Sequence, residues 1–326
     1  MEYSAQNQAP ALILNNISKS FGAVRAVEGI SAEIPNGYIY GFLGPNGAGK
    51  TTTIRMIMNI IYPDSGEVRI FGAPAGALMQ DRIGYLPEER GLYRKMQVGK
   101  ALAFLGRLKG MSAAALRRKI PAALEEVGLG DTIRRKVEEL SKGNQQKLQF
   151  VATVLHDPQL VILDEPFSGL DPLNLELITQ KMIEMRAAGK TIIFSTHGMD
   201  QAQKLCDSIL LINQGRKIVD GPLREILMRY RTNAVDLEID ENAEFIRALP
   251  FVAGIENHTR RCTVTLRDGV DSQELLAALA GRVRIRLFEE KLPTLHEIFV
   301  KLVGASNTTA ANMTAENGAM AGGHHE

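Results

Sequence analysis

The chain has 326 residues, 45% of them hydrophobic and 23% charged, with a formal net charge of +1. That length suits one large and one small globular domain, and the balanced charge gives no general reason to expect nucleic-acid binding. No apolar stretch approaches the ~20 residues that span a bilayer, and the polar residues 1–10 lack the apolar core of a signal peptide.

In chain order, residues from about 12 to 72 read as short strands, including 26–34, 38–43 and 67–71, with a helix over 51–61. From 98 to 156 the pattern turns helical and charged, as in 101–108, 113–127 and 144–155. Strand-type sequence returns at 160–163 and 191–195, with a helix at 173–188 between them. Strand, helix, strand in that order predicts a parallel sheet, so the helical block is an insertion within one α/β domain. After about Tyr230, strands at 234–239, 252–257, 262–266 and 283–288 and helices at 243–249 and 272–279 give the order β-α-β-β-α-β. This is the ferredoxin-like arrangement, closed by a last helix at 294–302. From Ala305 on, Ser, Asn, Thr, Ala and Gly dominate, which predicts a disordered tail, with His324-His325 as a solvated end. Cys206 and Cys262 lie outside any C-x-x-C pattern, as expected of small apolar residues in a reduced cytosolic protein.

Gly44-Pro45-Asn46-Gly47-Ala48-Gly49-Lys50-Thr51 is a full match to G-x-x-x-x-G-K-[ST]. It follows an apolar run and precedes a helical pattern beginning at Thr52, the context a phosphate-binding loop requires. The glycines let backbone N–H groups turn inward on phosphates, and the helix start adds unpaired donors and a positive dipole end. Lys50 can reach the β- and γ-phosphates, and the Thr51 hydroxyl can ligate Mg²⁺. A glycine-rich turn without a ligand is the bland alternative.

Leu160-Val161-Ile162-Leu163-Asp164-Glu165 is an apolar strand ending in two acids, and ligands gather at the carboxyl ends of parallel strands. Asp164 is placed to hold Mg²⁺ through water, and Glu165 to orient and polarise an attacking water. His197, after the next apolar strand, should emerge at the same sheet edge and sense a γ-phosphate. Ser141, in Leu140-Ser141-Lys142-Gly143-Asn144, stands at a natural N-cap and opens a second helix start suited to phosphate. Two such starts for one γ-phosphate point to a head-to-tail dimer.

Over residues 10–230 the chain resembles the ATP-binding subunits of ATP-binding-cassette (ABC) transporters. Gly44–Thr51, with Thr52 beside it, resembles their Walker A, and Leu160–Glu165 their Walker B. Leu140–Asn144 is similar to their signature, Ser168-Gly169-Leu170-Asp171 to their D-loop and His197 to their switch histidine. Phe21 occupies the place of the aromatic residue that stacks on adenine; alone it would be read as core. The resemblance implies ATP and Mg²⁺ as ligands, with Thr51, Asp164 and Glu88 around the metal. It also implies Lys50, Glu165 and His197 in ATP hydrolysis. Ser141, Gly143 and Asn144 would face the ATP of a second ATPase subunit, identical or closely related, and Asp171 would lie at that interface. The implied fold is an α/β P-loop NTPase cassette with a parallel-sheet core, an antiparallel β subdomain and a helical insertion at about 97–157. A small α+β domain over 231–304 and the tail over 305–326 follow.

Two motifs depart from the family pattern, at three positions. Lys142 and Asn144 replace a glycine and the glutamine of L-S-G-G-Q, while Ser141 and Gly143 are kept. Glu88 stands where a glutamine normally contacts Mg²⁺ and couples to the membrane subunit; a carboxylate remains a good ligand for a hard metal but adds negative charge. The run Pro87-Glu88-Glu89-Arg90-Gly91-Leu92-Tyr93 and the ending Pro293-Thr294-Leu295-His296-Glu297-Ile298-Phe299 are similar to sodium-efflux-type (NatA-like) ATPases of type-2 ABC exporters. That match implies a separate membrane permease and a cytoplasmic, peripheral place on the inner face of the membrane, without fixing the cargo. Two alternatives stay open: an ABC ATPase acting on ribosomes or nucleic acid, and a non-hydrolysing nucleotide sensor. The single set of motifs, the absence of sustained heptads and the lack of a strongly basic segment count against the first. The presence of Glu165 and His197 counts against the second.

Overall fold

The computed structural model describes residues 9–76, 81–89, 91–240, 244–257 and 261–304. The tail expected over 305–326, His324-His325 included, lies outside them, as does Ala243 at the start of one expected helix. The chain divides into two compact units, Met1–Leu223 and Arg224–Glu326.

The first unit is built on a six-stranded sheet. Its strands are β3 (Ile39–Leu43), β6 (Ile83–Leu86), β7 (Leu160–Asp164), β8 (Thr191–Thr196), β9 (Ser208–Asn213) and β10 (Arg216–Pro222), in the order β10-β9-β3-β8-β7-β6. β3, β7 and β8 are buried at every residue, as uninterrupted apolar runs covered on both faces should be. All pairs from β9 to β6 are parallel, in keeping with the expected sheet. The edge strand β10 runs antiparallel to β9, because only the two residues Gln214 and Gly215 separate them and a parallel return needs a crossover.

A second, antiparallel sheet has β1 (Leu12–Phe21), β2 (Val24–Ile34), β4 (Ser65–Ile70) and β5 (Ala73–Pro74) in the order β2-β1-β4-β5. Apolar residues of both sheets close over α1 (Lys50–Ile57) in one core, with Leu12, Ile30, Phe42, Ile54 and Ile162 fully buried. The helical insertion is α2 (Val98–Leu108), α3 (Ala113–Glu126) and α4 (Lys142–Val154) around a core of its own, including Leu102, Leu124 and Leu148. α5 (Pro172–Ala187) starts at Asp171, whose carboxylate accepts the Asn174 N–H at 3.0 Å, and has proline at its first position. α6 (Met199–Leu205) follows β8, and α7 (Leu223–Arg229) follows β10 and belongs to the second unit from Arg224 on.

The second unit contains β11 (Ala234–Ile239), α8 (Glu244–Arg247), β12 (Val252–Asn257), β13 (Cys262–Leu266), α9 (Ser272–Leu279) and β14 (Ile285–Glu290). Its sheet is antiparallel throughout, in the order β12-β13-β11-β14, which is the ferredoxin-like topology expected from the element order. Val235, Leu237, Val264, Leu266, Leu275 and Leu279 form its core. A final helix, α10, covers residues 295–304. Thr294 caps it reciprocally: its hydroxyl accepts the Glu297 N–H at 3.1 Å, and the Glu297 carboxylate accepts the Thr294 N–H at 2.7 Å. Among the described residues both cysteines are free thiols; Cys262 is buried and Cys206 partly so.

Candidate functional site

The order β3-β8-β7 brings three strand ends side by side, with Leu43 level with Thr196 and Asp164 level with Ser195. Gly44–Thr51 leaves β3 at that edge and opens α1. Two of its glycines have no tolerable replacement. At Gly44, φ is +148° and an added Cβ would meet the Ile212 carbonyl oxygen at 2.1 Å. At Gly49, φ is +105° and a Cβ would lie 2.4 Å from the Ala26 carbonyl oxygen of β2. Pro45, Asn46 and Gly47 form the exposed tip, while Ala48 is buried and bonds back to Pro45 and Gly215.

Lys50 is 6% exposed. Its ammonium donates to the carbonyls of Gly44 (2.7 Å) and Pro45 (3.0 Å) and lies 3.7 Å from Glu165 Oε1. Burial lowers its pKa from the ordinary lysine value, and the charges of Glu165, Asp164 and Glu88 act in the opposite direction.

Asp164, at the end of β7, is 1% exposed. One carboxylate oxygen accepts the hydroxyls of Ser195 (2.5 Å) and Thr51 (3.2 Å). The other is buried and has no hydrogen-bond partner. An orphaned carboxylate oxygen beside a threonine hydroxyl fits a hard divalent cation, whose ligands are oxygens. Among the described residues no group of three or more His, Cys, Asp and Glu is arranged to hold a metal by itself. Mg²⁺ commonly takes one or two protein oxygens and fills its remaining positions from phosphates and water. Thr52 lies half-buried in the first turn of α1.

Glu165 has φ +48°, unusual for a residue with a side chain, and its N–H donates to the Ser195 hydroxyl at 2.9 Å. His197, exposed beyond β8, places Nδ1 3.2 and 3.1 Å from the two oxygens of Glu165. Lys50, Asp164, Glu165, His197 and Thr51 are thus brought together from three strand ends. Ser195, for which the sequence suggested no task, stands between Asp164 and Glu165 and bonds to both. Its signal was a buried hydroxyl two residues before the histidine, informative only once β7 and β8 are known to be neighbours.

Glu88 is exposed two residues beyond β6, near enough for its charge to act on Lys50 and Tyr85. Burial, reinforced by the Asp164 charge, pushes the Tyr85 phenol up to about 12. Gln149 of α4 reaches the carbonyls of Pro87 (3.5 Å) and Glu89 (3.4 Å), tying the Glu88 segment to the helical insertion. Sequence reasoning missed Gln149 because its partners are backbone atoms some 60 residues away.

Ser141 is the N-cap of α4, as expected, and accepts the Asn144 N–H at 3.3 Å. Gly143 lies against the first turn of α5, where an added Cβ would meet Asn174 Nδ2 at 3.1 Å. Asn174 in turn donates to Asp171 at 2.5 Å, so the Ser141–Asn144 and Asp171 segments form one group. Among the described residues, no hydrogen bond or ion pair joins that group to Gly44–Thr51. Phe21, at the end of β1, is 52% exposed, too open for a core residue.

A family model for ABC transporters matches residues 27–168, and one for the C-terminal domain of DrrA1-3-like ATP-binding proteins matches 221–303. The chain is 40% identical over 294 residues to YhaQ, an uncharacterized ABC transporter ATP-binding protein of Bacillus subtilis (strain 168), covering 90% of this chain and 99% of that one. It is 34% identical over 301 residues to Nod factor export ATP-binding protein I of Rhizobium sp. (strain N33), covering 90% and 97%. Among solved structures, the ATP-binding subunit of an ABC transporter superposes with a TM-score of 0.64 at 31% identity, over 68% of this chain and 93% of that one.

Proposed function

The chain belongs to the family of ABC transporter ATP-binding proteins, and from that premise we propose that it powers a separate membrane permease in an ABC-type exporter. Family membership makes it an ATPase with ATP as its nucleotide. A separate permease is supported by the way ATP-binding subunits of ABC transporters work with membrane components; among the described residues no helix is long and apolar enough to cross a membrane. Export is supported by the likeness to the Nod factor export protein, whose own cargo is not transferred to this chain. On this reading the protein sits on the cytoplasmic face of the membrane, docked on its permease through the Glu88 segment and the helical insertion.

The observation that carries the proposal is the convergence of Lys50, Thr51, Asp164, Glu165 and His197 around one glycine loop. In the proposed reaction, loop N–H groups and Lys50 bind the β- and γ-phosphates. Thr51 and Asp164, with Glu88 nearby, would hold Mg²⁺, which when bound neutralises phosphate charge. Glu165 orients the attacking water, whose oxygen bonds to the γ-phosphorus as the bond to the β-phosphate oxygen breaks. The water's protons end on Glu165 and on the released phosphate. His197, held on the Glu165 carboxylate, fixes that side chain and reports loss of the γ-phosphate.

Among the described residues, Ser141, Gly143 and Asn144 share no hydrogen bond with Gly44–Thr51 of their own chain. We assign them to the γ-phosphate of a second ATPase subunit in a head-to-tail dimer, with Asp171 at the seam. ATP moves such an equilibrium only through its greater affinity for the closed state, so hydrolysis lets the subunits part. We further propose functional domains at 10–230 and 231–304, the second serving dimer contact or regulation. The test is detergent co-purification of the Glu165→Gln protein with ATP from its native cells, followed by mass spectrometry. A polytopic membrane protein in stoichiometric amount supports the exporter; ribosomal proteins or nucleic acid in its place overturn it.

A further inference from the structure

Phe21 ends β1, opposite Val24 of β2. Two residues further along β2, roughly 7 Å on, the Ala26 carbonyl abuts Gly49 of the phosphate loop. The end of β1 has lost its neighbour on the other side, because pairing with β4 stops at Ser18 opposite Ser65. Register shifts on either side of Lys19 disturb its pairing with β2 as well. Left so, the segment that carries Phe21 would fray.

Asp64, the residue before β4, replaces the missing ladder. Its N–H donates to the Ser18 carbonyl at 2.8 Å, and one carboxylate oxygen accepts the Ser20 N–H at 2.7 Å. The other oxygen holds the Lys19 ammonium at 2.6 Å. That ammonium lies over the Phe21 ring, 5.8 Å from its centroid, within range of a cation–π contact. A cation on one face leaves the opposite face of the ring for a flat partner. Asp64 follows Pro63 and the turn that ends α1, where the N–H groups of Ile60 and Ile61 fold back on Arg55. The helix that begins in the phosphate loop therefore leads within a few residues to the clamp on Phe21.

We propose that Asp64 and Lys19 are positioning residues for the nucleotide base: Asp64 pins the Phe21 strand end to the phosphate-loop helix, and Lys19 covers one face of the ring so that the base stacks on the other. The proposal rests on the reading of Phe21 as the adenine platform. The pair acts on the base and leaves the phosphates alone.

The test compares the binding of Mg-ADP and Mg-pyrophosphate to the full-length protein by calorimetry; neither ligand is turned over by a γ-phosphate hydrolase. Base–aromatic stacking sets the scale, so Phe21→Ala should weaken ADP roughly tenfold. Asp64→Ala should weaken ADP about fivefold, with pyrophosphate affinity within twofold of the unaltered protein for both variants. Asp64→Asn, which can still accept from Ser20 but loses the charge pair with Lys19, should fall between. The double variant Phe21→Ala/Asp64→Ala should bind ADP no more weakly than Phe21→Ala alone, as expected for residues acting through one group. Unchanged ADP binding in Asp64→Ala, or equal losses for both ligands, overturns the clamp while leaving Phe21 in its role. Unchanged ADP binding in Phe21→Ala overturns the platform and the clamp together. If Asp64→Ala fails to fold, Lys19→Met, which removes no backbone partner, must weaken ADP and spare pyrophosphate, or the clamp is wrong.

Discussion

Ser195→Ala is the sharpest test of how the two acids are held. The Ser195 hydroxyl is fully buried, donates to Asp164 at 2.5 Å and accepts the Glu165 N–H at 2.9 Å. Alanine removes both bonds and leaves a buried N–H unpaired, while Asp164 keeps only the weaker Thr51 contact. A charge-assisted bond of about 2 kcal/mol and a neutral one of about 1 kcal/mol sum to a loss of about 3 kcal/mol in unfolding free energy. The strain at Glu165, whose φ is +48°, loses its anchor in the same substitution. Turnover should fall by roughly 10- to 100-fold, the usual scale for groups that orient metal ligands and catalytic carboxylates. Urea unfolding and steady-state ATPase assays on the purified variant measure the two effects. A loss below about 0.5 kcal/mol with undiminished turnover would refute the claim that one hydroxyl fixes both acids.

Gly49→Ala should lose on the order of 3 kcal/mol of stability together with nucleotide binding, read by thermal melts with and without ADP, since neither its φ nor the Ala26 carbonyl accommodates a Cβ. If Glu88 helps hold Mg²⁺ as proposed, Glu88→Gln should raise the Mg²⁺ concentration for half-maximal ATPase activity severalfold, because a neutral side chain then replaces a charged one. His156 makes stability pH-dependent. Its Nδ1 is buried without a partner, its Nε2 lies 3.2 Å from the Ile83 carbonyl, and burial followed by the Lys109 charge lowers its pKa. The unfolded chain takes up the proton first, so stability should fall as pH drops below about 6.5, and His156→Gln should flatten that slope in melts between pH 7.5 and 5.5. Deleting residues 231–326 should change ATP-dependent dimerisation or ATPase regulation, measured by light scattering and turnover.

Much of this was legible because the informative residues are local. The glycine spacing of 44–49, with an apolar run before and a helical pattern after, is one strand–loop–helix unit that needs no long-range contact to be recognised. Asp164 and Glu165 announce themselves by ending an apolar strand, and the second unit's topology follows from element order alone. What escaped depends on strand order and register. β6, β9 and β10 are short or lie beside turns, and no sequence period marks β10 as antiparallel. Ser195 matters because β8 lies next to β7, and Gln149 because α4 packs beside the end of β6. Asp64 takes its role from a ladder that stops two residues short of Ser20, a fact of register and not of composition.

The central claim, ATP hydrolysis by Glu165 coupled to association of two chains, is tested most directly by light scattering on purified Glu165→Gln with and without MgATP, alongside its turnover. The account predicts a monomer without nucleotide, a dimer with MgATP, and turnover at about a hundredth of the unaltered rate or less. A monomer at saturating MgATP that hydrolyses ATP at the unaltered rate would contradict it.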